Sequence, residues 1–244
     1  MGRRRKFDIY LVIFLFIATA GYFIFTHFSS ESRGVKMYSE ALKPYKEGNF
    51  ETAYNYFGKV PHSSTLKHPA LFRQARCATN MGKKDVAIKK YKKIVTTSSK
   101  SAIAPISQYN MSVLMYEEQD KRAKENFKKI IQNYPTSDYA IASNYYLGIL
   151  ESTNLPKYKW QQKKAKERAV EYFKTYITKA PDGRFAINSV KALKSLGTKL
   201  TNYDNLLIAR VYYANGEYEN AKQHLALTTL SESWVDFANT EYQR

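Results

Sequence analysis

The sequence predicts an all-α protein, with one apolar helix long enough to span a bilayer followed by a solenoid of paired helices. Three observations lead there. Gly48, Phe50, Ala53 and Phe57 return as Gly82, Ala87 and Tyr91 at an interval of 34 residues, a period that belongs to helix–turn–helix repeat units. A small residue precedes an aromatic or large apolar one by four positions in Ala53/Phe57, Ala87/Tyr91, Ala123/Phe127, Ala169/Phe173 and Ala221/Leu225. Residues 7–28 form a nearly unbroken apolar run.

The N-terminal segment carries the address. Gly2-Arg3-Arg4-Arg5-Lys6 reads as a cytoplasmic basic tail over residues 1–6, and Phe7 to Phe28, nearly all apolar or aromatic with Asp8 near the start and His27 near the end, is roughly the length that crosses the hydrocarbon core as a helix. The four cations outweigh the sparse charge just beyond the run. By the positive-inside rule the N-terminus stays in the cytoplasm and everything after Phe28 lies across the inner membrane, as a single-pass periplasmic protein. Tyr10 and Tyr22 suit helix ends near the interfaces. A cleaved signal peptide is the competing reading, because Ala18-Thr19-Ala20 has the small-x-small form of a cleavage site. Gly21-Tyr22-Phe23-Ile24-Phe25 prolongs the run past that point, which suits an uncleaved anchor. Repeats held in the cytosol, as in anchored organelle import receptors, would contradict the basic flank. Residues 29–36 are short and polar and read as a linker holding the repeat domain, residues 37–244, near the bilayer.

Composition sets broad limits. Apolar residues make up 44% and aromatics 15% of 244 residues, which excludes general disorder. Lys+Arg 39 against Asp+Glu 21 gives a net charge of +18, enough to attract anionic surfaces, polymers or nucleic acid, or simply to keep the chain soluble. Export removes nucleic acid as a partner. Cys77 is the single cysteine, so no intramolecular disulfide forms, and its helical setting reads as a small buried thiol.

Residues four apart share one helix face, so each Ala-x-x-x-aromatic pair sets a close-approach point beside a bulky anchor. The intervals between successive pairs are 34, 36, 46 and 52 residues, so the array begins regular and then takes insertions. These residues resemble the tetratricopeptide repeat family. Leu147-Gly148 matches the family's Leu-Gly step, and Pro135 and Pro181 follow Ala123 and Ala169 by 12 residues, where the family ends its second helix. Gly48-Asn49-Phe50 and Gly216-Glu217-Tyr218 match its inter-helix turn. The resemblance covers residues 37–226 and implies a TPR-like α-solenoid behind the N-terminal transmembrane helix. Glu118 departs from it, standing at the expected turn glycine of the third repeat, and the first two repeats lack the family's proline 12 residues after the small residue. Residues 133–148 also resemble repeats of bacterial envelope proteins: the cell-division coordinator of the Tol–Pal system and the lipoprotein subunit of the outer-membrane assembly machine.

The first unit runs from Met37 to Val60 and is closed by Pro61, which cannot extend a helix. A polar loop to Pro69 carries His62 and His68, six apart with no cysteine or carboxylate nearby, and both read as unliganded surface histidines. The second unit sets Lys83, Lys84, Lys89, Lys90, Lys92 and Lys93 around Val86, Ala87, Ile88, Tyr91, Ile94 and Val95, an amphipathic helix with a cationic outer face. In the fourth unit an insertion from Ser152 to Lys164 contains Trp160 among lysines. Such a tryptophan either stacks on bases or sugars or caps the repeat core, and capping is the reading preferred. An extra helix is expected from Phe185 to Leu200, a last unit from Asn205 to Ala226, and a further helix opening at Ser231-Glu232-Ser233-Trp234.

No catalytic constellation emerges, so the chain is not read as an enzyme. His27, His62, His68 and His224 are scattered, and no phosphate loop, nucleophile elbow or His-Glu-x-x-His stands in the sequence. No metal site or cofactor is expected. The family resemblance implies a groove lined by the first helix of each pair. Carried over, it places Tyr38, Leu42 and Tyr45; Phe72, Arg76 and Thr79; Gln108, Ser112 and Met115; Tyr145 and Ile149; and Leu206, Arg210 and Tyr213 on that groove. The alternative is that many of them bury between helices. Two functions follow. One is a membrane-anchored scaffold presenting an extracytoplasmic peptide- or glycan-binding groove to another envelope protein, peptidoglycan or another anionic polymer. The other is the helical N-terminal region of a lytic transglycosylase, which residues 209–218 resemble, without its catalytic domain.

Overall fold

Turn glycines and helix-ending prolines divide the chain into eleven helices among the described residues. The computed structural model describes the backbone of residues 2–228 and the side chains of residues 13–228. The helix expected from Ser231 lies outside them. The fold is all-α, a TPR-like solenoid of helix pairs with no strand among the described residues, and it divides into two compact units at Leu114/Met115.

The first unit holds α1 (Gly2–Lys46), α2 (Phe50–Gly58), α3 (Lys67–Asn80), α4 (Lys84–Thr97) and most of α5 (Ala104–Glu117). Its core joins Ala41, Ala53, Phe57, Val60, Ala70 and Cys77, with Tyr38, Leu42 and Tyr45 packed at the edge. Ala53 and Phe57 are both buried, as are Ala87 and Tyr91, because the missing bulk at each alanine lets a neighbouring helix reach the aromatic ring. Gly48 (φ 79) and Gly82 (φ 71) make the turns between paired helices, in the left-handed region that costs glycine least. Asn49 caps α2, its Oδ1 accepting from Thr52 N–H at 3.1 Å.

The second unit holds the last residues of α5, then α6 (Arg122–Asn133), α7 (Asp138–Thr153), α8 (Lys159–Lys179), α9 (Ala186–Ser195), α10 (Asn202–Ala214) and α11 (Tyr218–Ala226). Ala169, Phe173, Tyr176, Ile177, Val190, Leu193, Ile208 and Val211 form its main core. Pro135 and Pro181 follow the caps Tyr134 (φ −138) and Ala180 (φ −141), extended as the residue before proline must be. Thr201 and Asp204 close a capping box at the start of α10.

Three expectations need correction. Residues 29–36, expected as a linker, are helical and continue α1 without a break. The reason is packing: Ser30 is buried and Gly34 sits against Ser64, so the repeat's contacts begin here. The insertion of 152–164 is mostly helix, with only residues 154–158 outside α7 and α8, because its Lys/Gln-rich sequence prolongs α8 at little cost. At the third turn the left-handed residue is Gln119 (φ 56), one position after Glu118, because α6 starts late, with Ala123 N–H bonded to Asp120 O.

The exposed apolar part of α1 includes Phe16 and Phe28, at 73% and 77% of their full accessibility. This helix is long and apolar enough to cross a membrane, and its most apolar stretch is unburied.

Candidate partner-binding face

In the first unit, α1 and α3 bring three of the groove candidates and one residue the sequence did not flag into one cluster. Tyr38 meets the Phe57 ring edge-on at 5.2 Å, and Tyr45 meets Phe50 at 5.8 Å and Phe57 at 6.1 Å. Above Tyr45 lie the guanidinium groups of Arg73 at 5.1 Å and Arg76 at 5.9 Å from the ring centroid, a cation–π arrangement. Against the cost of its burial, Tyr38 and Tyr45 both act on the Arg73 guanidinium and raise its pKa. Arg73 was missed because the family spacing selects every third or fourth residue. Its neighbour Arg76 satisfied that spacing, although Arg73, one turn earlier, shares its face. Arg76 is exposed, Thr79 is half-buried and bonds the Ala75 carbonyl at 3.0 Å, and Phe72 is buried against Tyr91.

Burial removes several other candidates from solvent. Gln108 is 2% exposed and Met115 is buried, the latter accepting from Asn126 Nδ2 at 3.5 Å. Ser112 is buried with its hydroxyl donating to the Gln108 carbonyl at 2.7 Å, and Leu206 is buried in α10. Tyr145 stacks face to face on Phe185 at 4.3 Å, with Tyr176 and Phe173 at 6.2 Å. The residue entering α9 therefore covers the position that α7 would otherwise present, and Ile149 packs against the same core. Arg210 is half-buried. Tyr213 is exposed and meets Tyr218 edge-on at 5.3 Å.

Charge on the second unit is tied into the fold. Glu151, 3% exposed at its side chain, accepts from Lys124 and Arg168, each at 2.8 Å. Asp204 pairs with Lys174 at 2.5 Å. A cavity of about 880 Å³ opens among Tyr116, Asp120, Lys121, Lys124, Leu150 and Leu155. Trp160 does not cap the core: it is 59% exposed, with Lys164 Nζ 5.3 Å from its ring, because the prolonged α8 carries it out beyond the repeat.

His68 and the thiol take structural roles. His68 bonds the Ser98 hydroxyl through Nε2 at 2.8 Å and is not a free surface group, while His62 is exposed. Burial pushes the Cys77 thiol up to about 11, against the pull of Arg73 and Arg76, which makes it inert as a nucleophile.

Residues 69–101 and 107–137 match the family model for the tetratricopeptide repeat. Two of the repeats are tetratricopeptide repeats. They are the α3–α4 repeat and the one that begins in α5. Among solved structures, the chain is similar to the MamA protein at 16% identity and TM-score 0.48, covering 80% of this chain and 88% of that one. A second MamA structure gives 16% identity and TM-score 0.46, covering 76% and 90%. BtubC (BKLC) from P. vanneervenii gives 14% identity and TM-score 0.45, covering 76% and 74%. No curated relative matches the chain. Tetratricopeptide architecture is a scaffold for protein–protein interaction.

Proposed function

We propose that this protein is a single-pass membrane scaffold whose tetratricopeptide repeats hold an extended segment of a partner protein outside the cytoplasm. The carrying observation is the tyrosine–arginine cluster of α1 and α3. Tyr38 and Tyr45 give flat apolar surface with polar tips, and Arg73 and Arg76 give donors that take a carboxylate in two-pronged fashion. That combination suits a peptide bearing acidic residues beside apolar ones. The basic N-terminal flank and the apolar run of residues 7–28 support the export orientation, with the repeats in the periplasm.

Two experiments test this reading. The full chain in detergent or nanodiscs is panned against displayed random peptides, in parallel with Arg76→Glu. Enrichment of acidic peptides that falls tenfold or more in the variant supports it, and enrichment unaffected by the variant overturns the site. Phosphatase and galactosidase reporters fused at the C-terminus test the orientation: activity of the galactosidase alone would place the repeats in the cytosol.

The exposed Trp160 with Lys164 above its ring favours a second ligand class, an anionic glycan strand such as peptidoglycan, held by stacking. Cosedimentation with purified cell-wall sacculi that survives Trp160→Ala would remove it.

A further inference from the structure

The packing stripe of α1 runs through Ser30, Gly34, Tyr38, Ala41 and Tyr45, in helical steps of three or four. It begins two positions beyond Phe28, about 3 Å further along the helix axis. There the turn between α2 and α3 closes on the helix. The Glu31 carboxylate accepts from the Thr65 N–H at 2.9 Å and from the Thr65 hydroxyl at 2.5 Å. The Ser30 and Ser63 hydroxyls hydrogen-bond, and Gly34 leaves no room for a β-carbon beside Ser64.

Helix direction sorts the remaining loops of this unit. α1 and α3 lead away from this end and α2 and α4 return to it, so the Gly48 and Gly82 turns lie at the far end. The loop after α4 therefore comes back beside the α2–α3 turn, and the Ser98–His68 hydrogen bond ties the two together. Segments 58–69 and 96–104 contain Lys59, His62, Lys67, His68 and Lys100 and no Asp or Glu. Lys59, His62 and Lys100 are exposed, and the one carboxylate at this end among the described residues, Glu31, is engaged by Thr65 and flanked by the exposed Arg33.

We propose that this end of the first unit is a membrane-contacting foot, its two loops resting on anionic phospholipid headgroups of the bilayer that holds residues 7–28. The inference rests on the anchor reading given above. The Glu31–Thr65 contact lies about 5 Å past Phe28 along the axis, inside a headgroup layer about 5–8 Å thick. The loop cations then stand within a Debye length, about 8 Å, of the lipid phosphates. A helix without a hinge between span and repeat makes the placement obligatory.

The test uses the full chain in nanodiscs, with a fluorophore on His62→Cys, Glu47→Cys or Phe16→Cys. Cys77, buried with a raised pKa, stays unlabelled. Headgroup-nitroxide lipid is expected to quench the label at position 62 several-fold more than the label at 47 beside the far turn. The difference should be larger with phosphatidylglycerol than with phosphatidylcholine, and Lys59→Glu/Lys67→Glu/Lys100→Glu should abolish that lipid preference. Equal quenching at 62 and 47, with Phe16→Cys quenched by acyl-chain nitroxide, overturns the foot while leaving the anchor intact. An unquenched label at 16 overturns the anchor and the foot with it.

Discussion

The Phe173 ring fills the space that a β-carbon on Gly148 would need: such an atom would lie 2.6 Å from Cε1 and 2.8 Å from Cδ1 and Cζ. Both partners are core, Phe173 fully buried in α8 and Gly148 buried in α7. Gly148→Ala gains up to about 1 kcal/mol of helix propensity and loses about 1–3 kcal/mol to overpacking, and the fixed ring makes the loss win. Urea unfolding of the second unit is expected to shift to lower midpoint in Gly148→Ala. Phe173→Leu, destabilising alone, should recover part of that penalty in the double variant, since the contact responsible is then gone.

Both halves of that contact are legible in the sequence, as the Leu147-Gly148 step and the Ala169/Phe173 pair, but their meeting is seen only in the fold. Four of the five small-plus-large pairs read correctly: Ala53, Ala87, Ala123 and Ala169 are buried together with the aromatic four positions on, whereas in the fifth Ala221 is buried and Leu225 only half-buried. Pairwise spacing within one helix is local information, and sequence carries it. What escaped depends on neighbours brought from elsewhere. Phe185 covers Tyr145, and nothing near Tyr145 in the chain announces it. Gln108 and Ser112 look polar enough for a groove, yet in α5 they are buried. Arg73 gains its role only when α1 supplies the Tyr45 ring beneath its guanidinium. The continuity of α1 through residues 29–36 was hidden because a polar composition looks the same in a loop as in the exposed face of a helix.

The paired carboxylates predict acid sensitivity of the second unit. Burial alone would raise the Glu151 carboxyl, but hydrogen bonds from Arg168 and Lys124 and their charges hold it below its ordinary value. Asp204 is likewise raised by burial and then lowered further by Lys174 and Thr201. A depressed carboxyl contributes stability that is full above its unfolded pKa, about 4, and is lost as pH falls through the folded value. Glu151→Gln is therefore expected to lower stability at neutral pH by about 1–3 kcal/mol, since it leaves two cations with a weaker acceptor. It should also flatten the decline below pH about 4. A chemical-denaturation series across that window reads both effects.

His224 sets an earlier step. It is buried in α11, stacked against Tyr212 at 5.6 Å and hydrogen-bonded through Nδ1 to Asn205 Oδ1 at 3.1 Å. Burial lowers its pKa, and the Lys194 charge lowers it further. The unfolded chain takes up a proton near pH 6.5 that the folded chain refuses, so stability is full above that value and falls as pH drops below it. The limiting slope for one such group is about 1.4 kcal/mol per pH unit. His68 in the first unit is lowered by burial and by Lys67 and Lys93, with the same sign. The expected result is a lower melting temperature at pH about 5.5 than at about 7.5. His68→Gln/His224→Gln should lose most of that difference, and an unchanged difference would assign it to other groups.

The third turn offers a stabilising change. Gln119 holds φ 56, where the first two turns and the last place Gly48, Gly82 and Gly216. A side chain in this left-handed region costs about 1–2 kcal/mol, and glycine returns part of that gain through the greater freedom of its unfolded chain. Gln119 is exposed, so its side chain leaves no core contact behind. The net expectation for Gln119→Gly is a gain of about 0.5–1 kcal/mol, seen as a higher urea midpoint with unchanged slope. Glu118→Gly separates the turn geometry from simple loop composition: it introduces the same residue one position earlier, at the site family spacing selects, where φ is not positive. That variant should be neutral or destabilising, and equal stabilisation by both would contradict the assignment of the left-handed position to Gln119.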